Sequence, residues 1–212
     1  MASVAYGFAS FTEVETGHHR SYNEWHLFDH MPEQYPLDGI VFGQRWVLTP
    51  ELRMHMQATD PLRRIHYVTL YLMAEPIDAT LLEFQALARR LREVGRFHEQ
   101  RTAHLSGAVR LVTTTAADHA LVRAEAIPFR PHRGVHVRVG GAPVAPDHAG
   151  VAGTWTFHGD EHAPDALQGE RVSWSWLDGD PNALAPDLGH SGATFSATFG
   201  LVPTFGPWDW FD

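Results

Sequence analysis

The chain has 212 residues, 44% of them hydrophobic and 19% charged, which is enough apolar text for the core of one large domain or two small ones. With 25 acidic residues against 16 basic ones the formal charge is −9, which argues against duplex DNA or an anionic membrane as partner. Cysteine is absent, and this excludes disulfides, thiolate metal sites and cysteine nucleophiles.

The opening run MASVAYGFASFTEVETG has neither a basic n-region nor a long apolar stretch. No segment approaches the roughly 20 apolar residues of a membrane span. The expectation is a soluble, cytoplasmic protein. The 15 histidines are scattered and form no metal-binding tract.

In chain order, SVAYGFASF predicts a strand. Ser21 opens S-Y-N-E, a capping box with Glu24, and predicts a helix beginning there. Pro32 predicts its end near His30, since the residue before a proline is disfavoured in helical dihedrals. Segments 39–48 and 64–74 are rich in β-branched and aromatic residues and read as strands. From Asp78 onward, Leu81, Phe84, Leu87, Leu91 and Val94 have the spacing of an amphipathic helix that Gly95 ends. SGAVRLVTT supplies a fourth strand. The order β-α-β-β-α-β is that of a ferredoxin-like half.

The second half repeats the strand text. GIVFGQRW (39–46) is echoed by GVAGTWTF (150–157), HYVTLYLMAEP by RVSWSWLDGDP, and HLSGAV (104–109) by HSGATF (190–195). These echoes divide the chain into a two-helix repeat, 1–118, and a strand-rich eroded repeat, 119–212. The short interval from Pro181 to His190 predicts loss of the second helix from the later copy. Segment 133–150 reads as a connector in place of its first helix. The fold class expected is α+β: a ferredoxin-like unit and an eroded second ferredoxin-like repeat, forming a barrel-like pair of antiparallel sheets.

Within residues 22–46, Tyr22, Asn23, Trp25, His30, Pro32, Glu33, Gly39, Arg45 and Trp46 follow the pattern Y-N-x-W-x-x-x-x-H-x-P-x…G…R-(aromatic). This stretch resembles EthD-like and muconolactone-isomerase-like members of the dimeric α+β barrel superfamily; the rest of the first half fits in element order only. The resemblance implies two ferredoxin-like units with sheets face to face, usually from two chains. A homodimer, or a barrel made within one duplicated chain, would satisfy it. It also implies a pocket between sheet and helices, lined in part by the helix-1 histidine, for small aromatic or lactone-like ligands. Activities in the superfamily include isomerases, cofactor-free oxygenases and haem enzymes. The chain departs from the pattern in having His26 where tyrosine is common, and in its eroded second half.

At 100° per residue Tyr22, Asn23, His26 and His30 share one helix sector, while Trp25, Leu27, Phe28 and Met31 occupy the other. The apolar sector is expected to anchor the helix on the sheet and the polar one to face a cavity or solvent. His30, in the last turn beside Asp29 and Glu33, is expected to have a raised pKa suited to proton transfer. The plainer alternative is a histidine that only stabilises its helix. His26 and His30 have the i, i+4 spacing of a metal pair with Glu33 as third ligand, but Pro32 turns Glu33 aside and no metal is expected. Arg45 stands alone among apolar neighbours on its strand face and could hold an oxyanion or pair with a helix acid. On the next strand His66 alternates with apolar residues, opposite Tyr67, Thr69 and Tyr71.

The catalytic candidates are therefore His30, Asp29, Glu33 and Arg45. Tyr22, Asn23, His26, Trp46, His66 and Tyr67 are candidates for substrate contact. The expected function is a small-molecule enzyme on an aromatic, polyketide-like or lactone substrate, without cofactor: an isomerase, cyclase or cofactor-independent monooxygenase. The alternatives are a haem enzyme with an axial histidine from the second repeat, and a non-catalytic binder of hydrophobic ligands. Trp155, Trp174, Trp176, Trp208 and Trp210 either fill the later core or stack on a ligand. The apolar tail FGPWDWFD is expected to dock, as a plug over the barrel end.

Overall fold

In β1 (Val4–Val14) Ala9 and Phe11 point to one side and Phe8, Ser10 and Thr12 to the other, the period-two alternation of a strand buried on both faces. The computed structural model describes residues 3–211 and shows what covers each face. The first half adds a helical stretch, His19–Gln34, then β2 (Ile40–Val47), β3 (Tyr67–Ala74), the long helix Ile77–Glu93 and β4 (Arg101–Ala116). The second half contributes β5 (Gly134–Val139), β6 (Val151–His158), β7 (Arg171–Leu177), the helix Pro181–Leu188 and β8 (Phe195–Leu201).

The first four strands lie in the order β4-β1-β3-β2 and the last four in the order β8-β5-β7-β6, so each half has the ferredoxin-like arrangement. Two seams join them into a closed antiparallel barrel. One seam, β4 with β6, runs from Arg110↔His158 to Ala116↔Gly153. The other, β2 with β8, is short: Trp46↔Leu201 and Val47↔Gly200. The protein is thus α+β, a ferredoxin-like unit followed by an eroded second one.

The halves agree in detail as well as in order. Gly39 and Gly150 precede β2 and β6 with φ of +87° and +81°, a backbone region open to glycine at no steric cost. Their carbonyls accept from Ala74 N and Asp178 N, at 2.8 and 2.9 Å, at the ends of β3 and β7. A register shift follows each glycine, at Ile40/Phe42 and at Val151/Gly153. The β2 bulge turns Ile40 to the helix side, while Val41 and Phe42 pack against the barrel core.

The barrel interior is apolar. Phe11, Trp46, Leu70, Val137, Trp155, Phe157, Trp174, Trp176, Phe195 and Phe199 meet there, all at most 2% exposed. Three of the second-half tryptophans therefore fill the core. The helix Ile77–Glu93 presents Ile77, Phe84, Leu87 and Leu91 inward, with Gly95 at φ +71° just past its end.

Several expectations need correction. The first helix starts at His19 with His18 as N-cap and no side-chain cap, whereas Ser21 Oγ donates to the His18 carbonyl and Glu24 pairs with Arg20. Pro32 does not end the helical stretch; it sits at the start of a final turn, Met31–Gln34. The second half keeps its second helix, shortened to Pro181–Leu188, because Pro181 and the Asp180 side chain, which accepts from Asn182 N, can start a helix even in a short connection. Segment 133–150 is no mere connector, since it contains β5, and only 140–150 stands in place of a helix. Of the echo at 190–195, only Phe195 belongs to β8.

The tail docks along helix 1 and does not plug the barrel. Phe205 and Trp208 pack on Phe28, and Phe211 lies 4.3 Å from the His19 ring. Asp212 lies outside the described residues. Among the described residues no helix is long and apolar enough to cross a membrane.

Candidate functional site

Between Trp25 and Met31 the helix widens into a π turn, His26–His30. Pro32, which can donate no backbone hydrogen bond, follows directly, and a π turn accommodates that gap without breaking the helix. Both imidazoles are buried, with ring centroids 5.2 Å apart. Trp25 stacks on His30 at 4.4 Å and 21°, and Phe97 meets the same imidazole edge-on at 5.7 Å.

These side chains form one wall of a cavity of about 190 Å³ between the sheet and the helices. It exceeds the ~150 Å³ that holds one benzene ring. Phe8, Ser10 and Thr12 of β1 and Thr69 and Tyr71 of β3 make its floor. Phe84, Gln85 and Ala88 close one side, and Phe97, Arg101, Ala103 and Ser106 another, with Tyr22, His26, His30 and Gln34 opposite. Gly43 makes room for the floor, since a Cβ there would stand 2.6 Å from the Tyr71 ring.

The lining is rich in unspent hydrogen-bonding atoms. His26 Nδ1, His30 Nδ1, Gln34 Oε1, Thr69 Oγ1, the Tyr71 hydroxyl and Arg101 Nε are buried and have no protein partner. A buried polar atom left unpaired costs about 1–3 kcal/mol, so several around one void make a surface that water or a polar ligand must satisfy. The Gln34 amide nitrogen lies 2.9 Å from His30 Nε2; with that nitrogen accepting, the ring proton is on Nδ1.

The electrostatics reverse the expectation for His30. Its pKa falls to about 3, first through desolvation and then through the Arg101 guanidinium; Asp29 opposes this and Arg45 adds to it. His26 is lowered well below its ordinary value by burial, then by Arg45 and His30. Tyr71 is raised well above 10, chiefly by burial. The helix-end dipole and flanking acids lose because desolvation penalises the imidazolium more than they favour it.

Of the residues expected from sequence, Tyr22, His26 and His30 line the cavity. Asp29 and Glu33 do not: both bind Arg96 on the outside, with Arg96 Nη2 at 2.7 Å from each carboxylate. Asn23 lies one layer deeper, accepting from Arg45 Nη2 and donating to the Tyr67 hydroxyl, each at 3.0 Å. Tyr67 is buried beside His19 Nδ1 at 3.1 Å and is not a lining residue. Arg45 makes no ion pair with a carboxylate among the described residues; it sits over the Tyr22 and Tyr67 rings and borders a neighbouring cavity of about 250 Å³. Trp46 points into the barrel instead, donating to His132 Nε2 at 3.1 Å. His66 is a satisfied structural histidine whose Nδ1 accepts from Val14 N at 3.1 Å.

The wheel needs correction only in part. The polar sector faces the cavity, as expected, over a sheet face that carries Thr12, Arg45, Tyr67, Thr69 and Tyr71, and Met31 of the apolar sector packs on Tyr71 and Met73. Phe28, 51% exposed, does not anchor the helix, and Trp25 packs sideways on His30 and Phe97. Sequence reasoning missed Gln34, Thr69, Tyr71, Phe97 and Arg101 as lining residues. Strand alternation could have found Thr69 and Tyr71, but nothing periodic marks the turn that delivers Phe97 and Arg101.

For a metal at His26 and His30, the third ligand is missing, because Glu33 is held outside by Arg96. The residues fit a haem no better. The buried second-half histidines, His132 and His136, have both ring nitrogens engaged: His132 with Trp46 and the Arg130 carbonyl, His136 with Thr198 and with Arg138 and Ser196. The first-half cavity is also far smaller than a tetrapyrrole.

No family model and no curated protein matches the chain. Solved structures do. A candidate chlorite dismutase aligns over 95% of this chain and 96% of its own at a TM-score of 0.54 with 9% identity. A candidate monooxygenase from Lactobacillus acidophilus aligns over 96% and 95% (TM-score 0.42, 9% identity), and an anthrone oxidase-like protein over 96% and 94% (TM-score 0.48, 10% identity). With the strand order and closed barrel, the first of these gives the fold: this chain has the dimeric α+β barrel architecture, completed within one polypeptide.

Proposed function

We propose that this protein is a small-molecule enzyme that performs proton transfer on an aromatic, polyketide-like or lactone substrate in the cavity beneath helix 1. The observation that carries the reading is the set of unpartnered buried atoms on His26, His30, Thr69, Tyr71 and Arg101 around one void with aromatic walls. The names borne by proteins of similar fold, chlorite dismutase, monooxygenase and anthrone oxidase, are compatible with small-molecule chemistry in such a barrel.

Both histidines are neutral, and His30 accepts a proton at Nδ1 once its ring proton moves to Nε2 and the Gln34 amide turns its oxygen to that nitrogen. An imidazole near pKa 3 is a weak base alone, but transfer of a substrate proton to it creates an oxyanion and an imidazolium side by side. In a low dielectric each charge stabilises the other, and the barrier to transfer drops. Arg101 and the Tyr71 hydroxyl are donors suited to the developing oxyanion. The enolate so formed has two fates. Reprotonation at a second carbon is isomerisation. Addition of dioxygen at the carbanion carbon of a methylene gives a hydroperoxide, which loses water to leave a ketone.

Three measurements on one panel of enolisable aromatic ketones and lactones test this. Deuterium exchange at the acidic C–H without oxygen reads proton transfer, oxygen uptake reads oxygenation, and fluorescence quenching reads binding. His30→Ala is expected to lower exchange or turnover by about 10²–10⁴, the range for a lost general acid–base. Binding with neither exchange nor oxygen uptake, unaffected by His30→Ala, would establish the carrier reading instead.

A further inference from the structure

The cavity carries positive charge in a protein whose net charge is −9. Arg101, partly buried on β4, borders the void and stacks over Phe97 at 4.6 Å and over Trp25 at 5.4 Å. Among the described residues no carboxylate forms an ion pair with Arg101 or with Arg45, which is 2% exposed. The nearby acids Asp29 and Glu33 are bound to Arg96 on the outer surface. Arg45 Nε and Nη1 and Arg101 Nε have no acceptor. Two guanidinium groups with unspent donors and no ion-paired carboxylate are costly to bury, since the exposed Glu99 acts on Arg101 only without contact, and a ligand carrying the missing charge removes that cost. Neutral histidines, a neutral tyrosine and hydroxyls complete the polar lining, so nothing negative in the cavity repels an anion. Phe8, Phe84 and Phe97 offer rings to an aromatic body.

We propose that this cavity selects a planar organic oxyanion on an aromatic body, a carboxylate or a phenolate, with the Arg101 fork as its anchor and Arg45 as the second uncompensated charge behind it. The inference rests on the small-molecule reading above and specifies its substrate class. Arginine suits the role because its planar donors match two oxygens, or one oxygen and its lone pairs, in a fixed geometry.

The test compares matched ligands on the full-length protein by calorimetry. 2-Naphthoate is expected to bind about 10- to 100-fold more tightly than the neutral isostere 2-naphthamide, the range for a charge-assisted contact. Nitrophenol, measured above and below its own pKa, separates the phenolate from the carboxylate arm. Arg101→Gln is expected to remove most of the preference for 2-naphthoate while changing 2-naphthamide affinity by less than about threefold, and Arg101→Lys to keep part of it. Equal affinity for the two naphthalenes overturns anion selection and leaves the small-molecule cavity standing. Preference retained in Arg101→Gln overturns the anchor. Binding of none of these ligands, with no turnover on the ketone panel, overturns both readings together.

Discussion

His26, His30 and His136 are buried as neutral imidazoles, the last at about 3 through desolvation and then the adjacent Arg138. In the unfolded chain each would titrate near 6.5, so above that pH protonation does not distinguish the two states. Below it the unfolded chain takes up protons that the folded one refuses, and stability falls down to about pH 3. The slope is about 1.4 kcal/mol per pH unit for each such histidine. Urea midpoints should therefore drop steadily from neutral pH into the acid range, and His30→Gln should flatten that dependence by about one proton; a flat profile would mean that the cavity is wet enough to charge the ring. A bound oxyanion acts in the opposite direction by restoring the His30 pKa. Calorimetry of 2-naphthoate in buffers of different ionisation enthalpy is expected to detect proton uptake on binding, diminished in His30→Gln. Gly43 gives a third residue-scale test. Gly43→Val drives a side chain into the Tyr71 ring and should close the cavity, abolishing ligand binding with the barrel still folded.

At the scale of elements, the π turn decides where the histidines point. The extra residue in that turn brings His26, His30 and Gln34 to one wall, with Trp25 stacked behind His30. Deleting the half-exposed Phe28 restores ordinary helical winding and rotates one side of the turn by about 100° relative to the other. The variant should keep the barrel's circular dichroism and lose ligand binding; unchanged binding would show that the turn is incidental. The tail is the other element with a measurable role. Trp208 is buried, donates to the Pro203 carbonyl at 3.0 Å, and closes a cluster with Val14, Tyr22, Val47 and Tyr67. Trp208→Ala should cost about 3 kcal/mol of stability, toward the low end for a large aromatic because the site is at the edge of the fold.

At the scale of the whole molecule, the two halves share one core. Phe11, Trp46 and Leu70 come from the first half and Trp155, Trp174 and Phe199 from the second. Each half alone would expose an apolar sheet face, well beyond what soluble monomers present. Segments 1–118 and 119–212 expressed separately should aggregate or self-associate, and co-expression should return a soluble one-to-one complex visible by light scattering. A stable monomer of either half would refute the shared-core argument. Because each half's inner sheet face is covered by the other, a homodimer of this chain needs a different surface from the sheet-to-sheet contact that the family resemblance implies.

The sequence by itself determined the elements of the first half and their order, because strand alternation and helical period are local properties of the text, whereas β5 and the helix Pro181–Leu188 were too short to stand out from their connections. The run from Tyr22 to Trp46 pointed to the α+β barrel, and the strand echoes pointed to two similar halves, before any contact was known. It also placed His26 and His30 together on one helix sector, and both line the cavity. Tertiary structure decided everything that depends on what faces an element. Apolar residues usually mark the buried side of a helix, but here the sheet face opposite is itself polar, so the polar sector went inward and Phe28 outward. Asp29 and Glu33 are neighbours of His30 in the chain, yet Arg96, more than 60 residues away, draws them outside. Arg101 reaches the cavity from the fourth strand. The His30 pKa was misjudged for the same reason: dipole and adjacent acids are legible locally, while desolvation and distant guanidinium charge, the stronger effects here, exist only once the chain has closed around the ring.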